Sequence, residues 1–295
     1  MGMNLDGPLY LQRKGLLTSE RNKILDIGPQ NVYFARDEQL REFVAPHGQT
    51  VSDADLEKEI QRLIYFSIPR PEERTTLFSE ITDLTDIEYN SIDVCPGLKT
   101  EILDLNFDKL PKHMADHYDV VLNFGTTEHI FNQWNCFEVM HDATKVGGVI
   151  YHQLPASGYF DHGYYCYTPL FFQEMAAANS YEILDLFVTP AGESKIDQLK
   201  IQARTGSSIL NRLDHLSEDN RIPALNIHVI LRKTASIGFR CALEIATAHS
   251  PVNAAMAARY NGNEQVKAPI TNREQPRNGP VWIAVKRKIR NALGR

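Results

Sequence analysis

Residues 118–129 read YDVVLNFGTTEH, and this stretch decides the fold. Its first seven residues form the most strand-like run in the chain, and the polar residues after Gly125 end that run. A helical pattern over about 132–144 follows, and two glycines then turn the chain into another apolar run at 149–154. The order strand, helix, strand predicts a βαβ unit with two parallel strands.

The same alternation extends outward on both sides of this unit. Upstream, apolar runs at 23–28, 87–94 and 100–105 have the composition of buried strands. Downstream, two β-rich runs at 181–188 and 226–232 are expected to pair at the edge of the sheet. Strands that alternate with helical segments predict an α/β fold, a doubly wound and mostly parallel sheet of about seven strands with an antiparallel edge pair.

Two further segments accompany the sheet pattern. A helical insert at about 37–80 is longer than the usual first connection between a strand and a helix, and Ser52 is placed to cap one of its helices. We expect one domain over residues 1–234 and a C-terminal extension over 235–295 that is partly flexible and ends in a basic segment. The basic end is typical of a solvated or docked tail, and contact with an anionic membrane or a partner is the alternative.

The composition excludes several classes of protein. Of the 295 residues, 43% are hydrophobic and 23% are charged, which is ordinary for a globular protein. Asp and Glu total 37 against 31 Lys and Arg, and the net charge of −6 argues against a general nucleic-acid binder. The four cysteines form no CxxC pair, and no apolar run reaches the ~20 residues of a membrane span. We therefore expect a soluble, cytoplasmic protein of undetermined oligomeric state.

Chemically informative residues lie where the predicted strands end. In an open α/β sheet, ligands bind outside the carboxyl ends of the strands. Gly28 follows the first strand, Asp93 ends the second, Asp104 lies in the third, and residues 123–129 end and follow the fourth. An acid at the end of the second strand is suited to accept hydrogen bonds from both hydroxyls of a ribose, and a second acid can meet an exocyclic amine. Together these residues predict a nucleoside site.

Five segments in this order resemble the motifs of the class I S-adenosylmethionine-dependent methyltransferases, and the resemblance covers roughly residues 23–232. It implies a Rossmann-like fold, S-adenosylmethionine as the cofactor, and the two downstream runs as the sixth and seventh strands of the family's sheet. The segments are ILDIGPQN at 24–31, YNSIDVCPG at 89–97, EILDLNFDKLP at 101–111, YDVVLNFGTTEHI at 118–130 and KVGGVIYHQLP at 145–155.

The resemblance assigns roles to residues on the nucleoside side. Gly28 would let the backbone approach the methionine part of the cofactor, and Asp26 would steady that loop or the cofactor's amino group. Asp93 would bind the ribose hydroxyls, while Asp104 and the backbone of Leu105 would meet adenine. Carboxylates in such a pocket also balance the positive charge of a sulfonium.

The resemblance also assigns roles on the methionyl side. Asn123 and Phe124 would line this part of the site. Glu128 and His129 occupy the place of a Glu-His pair that is frequent in the family, and His129 would touch cofactor or substrate or would only fix the turn.

The first loop departs from the family pattern. The family reads DxGxGxG there, whereas Gly28 is followed by Pro29-Gln30-Asn31. Asn31 tolerates the left-handed backbone region, so it is counted among the cofactor-binding residues. The depleted loop leaves open a non-catalytic, methyltransferase-like binding or scaffold protein. A nicotinamide-dependent oxidoreductase is disfavoured because GxGxxG is absent.

Candidate catalytic residues follow the fifth strand. His152 and His162 are the candidate bases, because an imidazole can accept the proton of a hydroxyl acceptor, and Asp161 would orient the base. The alternatives are that His152 is a core-edge residue and that His162 caps a turn. His152, Asp161, His162 and Glu128 are legitimate metal ligands, but their spacing matches no zinc pattern, so no metal is predicted.

The acceptor is predicted only by class. An aromatic cluster at 159–172 is expected to form a wall or lid of the acceptor pocket, and stacking on a sugar or an aromatic acceptor is the alternative. The sequence therefore predicts methyl transfer to a small-molecule or glycan-precursor acceptor, with oxygen as the expected acceptor atom. Nitrogen and carbon acceptors stay open.

Overall fold

The computed structural model of the chain describes residues 2–71, 73–191, 201–202 and 224–242. The C-terminal extension expected over 235–295 therefore lies outside the described residues, apart from 235–242. Within the described part, no helix is both long enough and apolar enough to cross a bilayer.

Ten strands and six α-helices form the described part of the chain. The strands are β1 (Gly2–Met3), β2 (Lys23–Ile27), β3 (Asn31–Val32), β4 (Glu88–Asp93), β5 (Thr100–Ile102), β6 (Tyr118–Phe124), β7 (Thr144–Ser157), β8 (Tyr181–Pro190), β9 (Ile201–Gln202) and β10 (Leu225–Lys233). The helices are α1 (Asp6–Arg13), α2 (Asp37–Val44), α3 (Asp53–Ser67), α4 (Phe78–Thr82), α5 (Gln133–Ala143) and α6 (Pro169–Ala178), with 3-10 turns at Lys112–Met114 and Thr127–His129.

The main sheet has the order β5-β4-β2-β6-β7-β10-β8-β9. The pairs from β5 to β7 are parallel, and the pairs from β7 to β9 are antiparallel. The prediction of a doubly wound, mostly parallel sheet with an antiparallel edge pair is confirmed. The two-residue strand β9 adds an eighth strand to the expected seven.

Strand β6 is buried along its whole length because both faces of the sheet are covered. Val120 packs with the core formed by α1 to α4, whereas Val121 packs with the core of α5 and α6. Alternate residues of a strand point to opposite faces, so an almost continuous apolar run is what a doubly covered strand requires.

The helical insert is confirmed as helices α2, α3 and α4. Ser52 caps α3, and its hydroxyl accepts a hydrogen bond from the Asp55 amide at 3.2 Å. Ile60 and Leu63 of α3 are buried in the same core as Phe78 of α4. The insert therefore covers one face of the sheet beside the loop that follows β2.

The N-terminal helix α1 has no counterpart among the predicted elements. Leu9 and Leu11 of this helix are fully buried, and Tyr10 packs edge to face on Phe187 of β8 with ring centroids 5.9 Å apart. Gly7 lies against the Phe124 ring, where an added Cβ would lie 2.9 Å from the nearest ring carbon. The chain upstream of β2 is thus part of the core.

Candidate functional site

The crevice of this sheet lies between β2 and β6. These neighbouring strands lead to opposite halves of the sheet, since β2 continues to β4 and β6 continues to β7. Ligands of open α/β sheets bind at such a switch point, outside the carboxyl ends of the strands. The Thr126 hydroxyl, just after β6, donates a hydrogen bond to the Ile27 carbonyl at the end of β2 and joins the two sides of the crevice.

Asp26 lies under the crevice as a fully buried residue of β2. Its Oδ2 accepts a hydrogen bond from the Tyr89 hydroxyl at 2.9 Å, while its Oδ1 has no hydrogen-bond partner in the described part of the chain. Burial raises the pKa of Asp26 to about 8, although the Tyr89 hydrogen bond opposes this rise. A buried, neutral carboxyl group at pH 7 fits a role in steadying the loop.

The loop after β2 begins with one left-handed residue. Gly28 has φ of 87°, and its amide donates to the Ile92 carbonyl at 2.9 Å. The buried Gln30 side chain donates to the Gly28 carbonyl at 3.0 Å and fastens the loop from below.

Asn31 does not adopt the left-handed conformation that the sequence suggested. It belongs to β3, which pairs in parallel with β1, and its backbone is extended because it pairs with Gly2 and also forms an antiparallel bridge to Leu77. The left-handed backbone appears at Phe34 instead, with φ of 53°. Asn31 therefore does not replace a missing glycine of the loop.

The two acids expected on the nucleoside side lie at adjacent strand ends. Asp93 is half-buried at the end of β4, and its Oδ1 accepts from the Cys95 amide at 2.9 Å. Strand β5 ends at Ile102, so Asp104 lies in the following turn, where its Oδ1 accepts from the Asn106 amide at 2.8 Å.

The turn that contains Asp104 and Leu105 is fixed to the start of α5. The buried Leu105 accepts a hydrogen bond on its carbonyl from Asn135 Nδ2 at 2.9 Å. Asn106 Oδ1 accepts from the Asn132 amide at 3.2 Å, and Asn132 Nδ2 donates back to the Asn106 carbonyl at 2.9 Å. The sequence pattern does not reveal these asparagines, which position the loop that contains Asp104.

Asn123 and His152 lie side by side on β6 and β7. Asn123 Nδ2 is 3.0 Å from His152 Nδ1 and 3.0 Å from Thr127 Oγ1. His152 is fully buried against the rings of Phe137 and Phe172, and this burial lowers its pKa to about 3. The prediction of His152 as a base does not fit, because an inaccessible imidazole of that pKa does not take a proton from an acceptor at neutral pH.

The ring of Phe124 is part of the core. It packs edge to face on Tyr151, with centroids 4.9 Å apart, and it is buried beside Gly7 of α1. The lining role expected of Phe124 stays a prediction, and the next residue, Gly125, has a left-handed backbone with φ of 74°.

Glu128, His129 and His162 form a cluster beside the crevice, hereafter the Glu-His-His cluster. Glu128 Oε1 lies 3.9 Å from His129 Nε2 and 3.8 Å from His162 Nε2. The Glu128 side chain is 1% exposed, whereas those of His129 and His162 are 38% and 49% exposed. Burial raises the pKa of Glu128 to about 7, and burial followed by the nearby His162 lowers the pKa of His129.

Two backbone features bring the two parts of the cluster together. The Tyr164 amide donates to the Glu128 carbonyl at 2.7 Å. A Cβ added at Gly163 would lie 3.0 Å from both Glu128 Cγ and the Glu128 carbonyl oxygen, so any larger residue there would push these atoms back by a few tenths of an ångström. The carboxylate near His162 is Glu128, and the expected orienting residue Asp161 is exposed.

The aromatic segment at 159–172 divides into buried and exposed residues. Tyr167 is buried, and its hydroxyl donates to Gln133 Oε1 at 2.7 Å and lies 3.1 Å from Thr127 Oγ1. Phe160 and Tyr164 are exposed, and the Tyr164 ring meets that of the exposed Phe131 at 6.3 Å. The expected wall is therefore partly core and partly a surface beside the Glu-His-His cluster.

Comparisons with known proteins give similarities at the level of structure. No family model and no curated protein matches the sequence. The chain is similar to a SAM dependent methyltransferase from Archaeoglobus fulgidus, at 12% identity and a TM-score of 0.41, over 76% of this chain and 91% of that one. It is also similar to an O-methyltransferase from a trans-AT PKS multienzyme of Brevibacillus brevis, in complex with S-adenosyl-L-homocysteine, at 14% identity and a TM-score of 0.37, over 79% of this chain and 73% of that one.

The strand order itself assigns the fold. A parallel half, a switch point in the middle and an antiparallel strand inserted before the edge form the Rossmann-like methyltransferase fold that the sequence motifs predicted. One architecture hosts many functions, so the activity depends on the residues of the site.

Proposed function

We propose that the chain transfers a methyl group from S-adenosylmethionine to a small-molecule or glycan-precursor acceptor, at oxygen. The observation that carries this proposal is the set of groups at the carboxyl ends of the parallel strands on both sides of the switch point. Gly28 opens the loop after β2, Asp93 and Asp104 follow the two strands on one side, and the Glu-His-His cluster follows β6 on the other.

The residues expected on the cofactor side of the site fit S-adenosylmethionine chemically. Asp93 is held by the Cys95 amide through one oxygen, and a carboxylate has acceptor capacity for two ribose hydroxyls. The left-handed backbone at Gly28 permits close approach of a ligand to the main chain. When bound, S-adenosylmethionine supplies a methyl group on a positively charged sulfur, from which a nucleophile can displace it.

The acceptor side fits a hydroxyl compound. In the transfer, a carbon–oxygen bond forms as the carbon–sulfur bond breaks, the electron pair goes to sulfur, and the hydroxyl proton must leave. His162 is the candidate base of the two predicted, because it is about half exposed whereas His152 is fully buried. The exposed rings of Phe131 and Tyr164 offer apolar surface to an acceptor beside it.

Calorimetric titration with S-adenosylmethionine and S-adenosylhomocysteine tests the cofactor site. We expect saturable binding by the wild-type chain and loss of at least about tenfold in affinity for Asp93→Ala, because the hydrogen bonds to a charged acceptor are removed. Glu38→Ala, which removes an exposed acid of α2, is the matched control and should bind as the wild type does. Equal affinities of Asp93→Ala and wild type would refute the assignment.

A non-catalytic binding or scaffold protein is the second candidate. It is favoured by the loop after Gly28, where Gln30 is buried and Asn31 is extended, so that the family's later glycines have no conformational replacement there. This candidate predicts that neither compound binds. The same titration of the wild-type chain therefore separates the two functions.

A further inference from the structure

The Glu-His-His cluster has the composition of a metal site, assembled from two segments. Glu128 and His129 belong to the turn after β6, whereas His162 comes from the loop after β7. One ligand atom from each residue can be chosen so that all three lie within 4.8 Å of one another. Among the described residues, no second group of three histidines, cysteines or acids has ligand atoms this close together.

The carboxylate at its centre lacks the partners that its burial requires. Glu128 is 1% exposed, and neither Oε1 nor Oε2 has a hydrogen-bond partner among the described residues. An unpaired buried carboxylate is costly, and such groups are normally paired or coordinate metals. The nearest imidazole nitrogens, on His129 and His162, lie beyond hydrogen-bond distance from the carboxylate oxygen.

We propose that Glu128, His129 and His162 bind a divalent transition-metal ion of the Zn²⁺ type, with further coordination positions open to solvent. Two histidines and one carboxylate are the protein ligands of several catalytic zinc sites and of non-haem iron sites. The two imidazoles are partly exposed, so a water molecule or a substrate oxygen can complete the coordination.

The distances are close to those that a shared ion requires. Two ligands each about 2.1 Å from one ion lie at most about 4.2 Å apart. The separations of 3.9 and 3.8 Å from Glu128 Oε1 to the two imidazoles meet this limit. In a tetrahedral site the ligand atoms would lie about 3.4 Å apart. The third separation is bounded by 4.8 Å, so changes of up to about 1.4 Å, within reach of ring rotations on the two exposed histidines, would complete the geometry.

The surrounding residues hold the cluster in place. Thr127 is fixed by the Asn123 amide group and by the Tyr167 hydroxyl, and the Tyr164 amide fastens the second loop to the Glu128 carbonyl. Hydrogen-bonded support of this kind is typical of metal sites, where it orients the ligands.

The consequence for catalysis rests on the proposed function. With His162 coordinated to an ion, the ion would replace this histidine in the role of base: it would raise the acidity of an acceptor hydroxyl, so that the proton is lost to solvent at neutral pH. Metal binding itself does not depend on methyl transfer.

Titration of the tag-free, EDTA-treated full chain with Zn²⁺ by calorimetry, and with Co²⁺ by visible absorption, tests the site. We expect one equivalent to bind the wild type, and His162→Asn and Glu128→Gln to weaken binding by at least about tenfold. His113→Gln, which changes an exposed histidine elsewhere, should match the wild type. Circular dichroism confirms that each variant is folded, and His162→Asn is the decisive one because its side chain is half exposed.

Each outcome is decisive. No stoichiometric Zn²⁺ binding by the wild type, or equal affinity for wild type and His162→Asn, would overturn the metal site. S-adenosylmethionine titrations on the metal-free chain are run in parallel. Metal binding without cofactor binding would support the metal site and refute the proposed methyltransferase function. Cofactor binding without metal binding would support the methyltransferase function and refute the metal site.

Discussion

Replacement of Asp26 by Asn should change how the stability of the chain depends on pH. Asp26 is fully buried, and one of its oxygens accepts a hydrogen bond from Tyr89 while the other has no partner among the residues that the structure describes. Asn has the same shape, keeps an acceptor for the tyrosine and carries no charge. The substitution therefore replaces a titrating group by a permanently neutral one.

The magnitude follows from the pKa difference between the folded and unfolded chain. Burial raises the pKa of Asp26 from 3.8 to about 8. Because the pKa of Asp26 is higher in the folded chain than in the unfolded chain, the stabilising contribution of this group is complete below the unfolded pKa and is lost as the pH rises toward 8. Within that window the loss is about 1.4 kcal/mol per pH unit, so it amounts to about 3 kcal/mol between pH 5 and pH 7.

Urea unfolding of the wild type and Asp26→Asn at pH 5, 6 and 7 measures this effect. We expect the difference in the free energy of unfolding, variant minus wild type, to increase by about 3 kcal/mol from pH 5 to pH 7. Any effect of the new side chain on packing is the same at each pH and does not change this increase. Glu38→Gln, an exposed neutralisation in α2, should give a curve parallel to that of the wild type. A constant difference between Asp26→Asn and the wild type would show that the carboxyl titrates alike in both states and would refute the reasoning.

Three further predictions concern neighbouring groups. Tyr89→Phe should lower the free energy of unfolding by about 1–3 kcal/mol in urea, because it leaves the buried Asp26 without its donor. His152→Asn should lower the free energy of unfolding by about 1–3 kcal/mol in urea, because the ring is buried among aromatic side chains. Calorimetry should find the affinity for S-adenosylmethionine unchanged, whereas a large loss of affinity would place His152 in the site. Gly163→Ala should weaken Zn²⁺ binding in calorimetry by about tenfold, because its Cβ would push the loop away from Glu128, and unchanged binding would contradict that geometry.

The sheet was predictable because each strand carries its own signal. An apolar run that is buried on both faces, as in β6, is visible without knowledge of its neighbours. The alternation of strands and helices then restricts the order of strands, since parallel connections are right-handed and short. The cap at Ser52 is equally local, because its hydroxyl binds an amide three residues away.

Features that depend on distant contacts were not predictable. Helix α1 has eight residues, and its burial depends on β8, through contacts such as that between Tyr10 and Phe187. The expected left-handed backbone at Asn31 is replaced by strand pairing with β1, which the sequence does not reveal. His152 resembles an accessible base in sequence, and only the packing of α5 and α6 shows that it is buried.

Two buried carboxyl groups lie on either side of the crevice, and their surroundings suggest different uses. Asp26 on β2 accepts a hydrogen bond from a hydroxyl group and lies in an aliphatic and aromatic core. Its protonated, neutral form fits this environment without a further ligand. Glu128 after β6 accepts no hydrogen bond from any residue that the structure describes, and two partly exposed imidazoles lie just beyond hydrogen-bond distance. Groups with pKa values raised by burial cluster at functional sites as well as in structural networks, and the partners distinguish the two cases. A structural role therefore suits Asp26, whereas the unsatisfied Glu128 is the group that a ligand would complete.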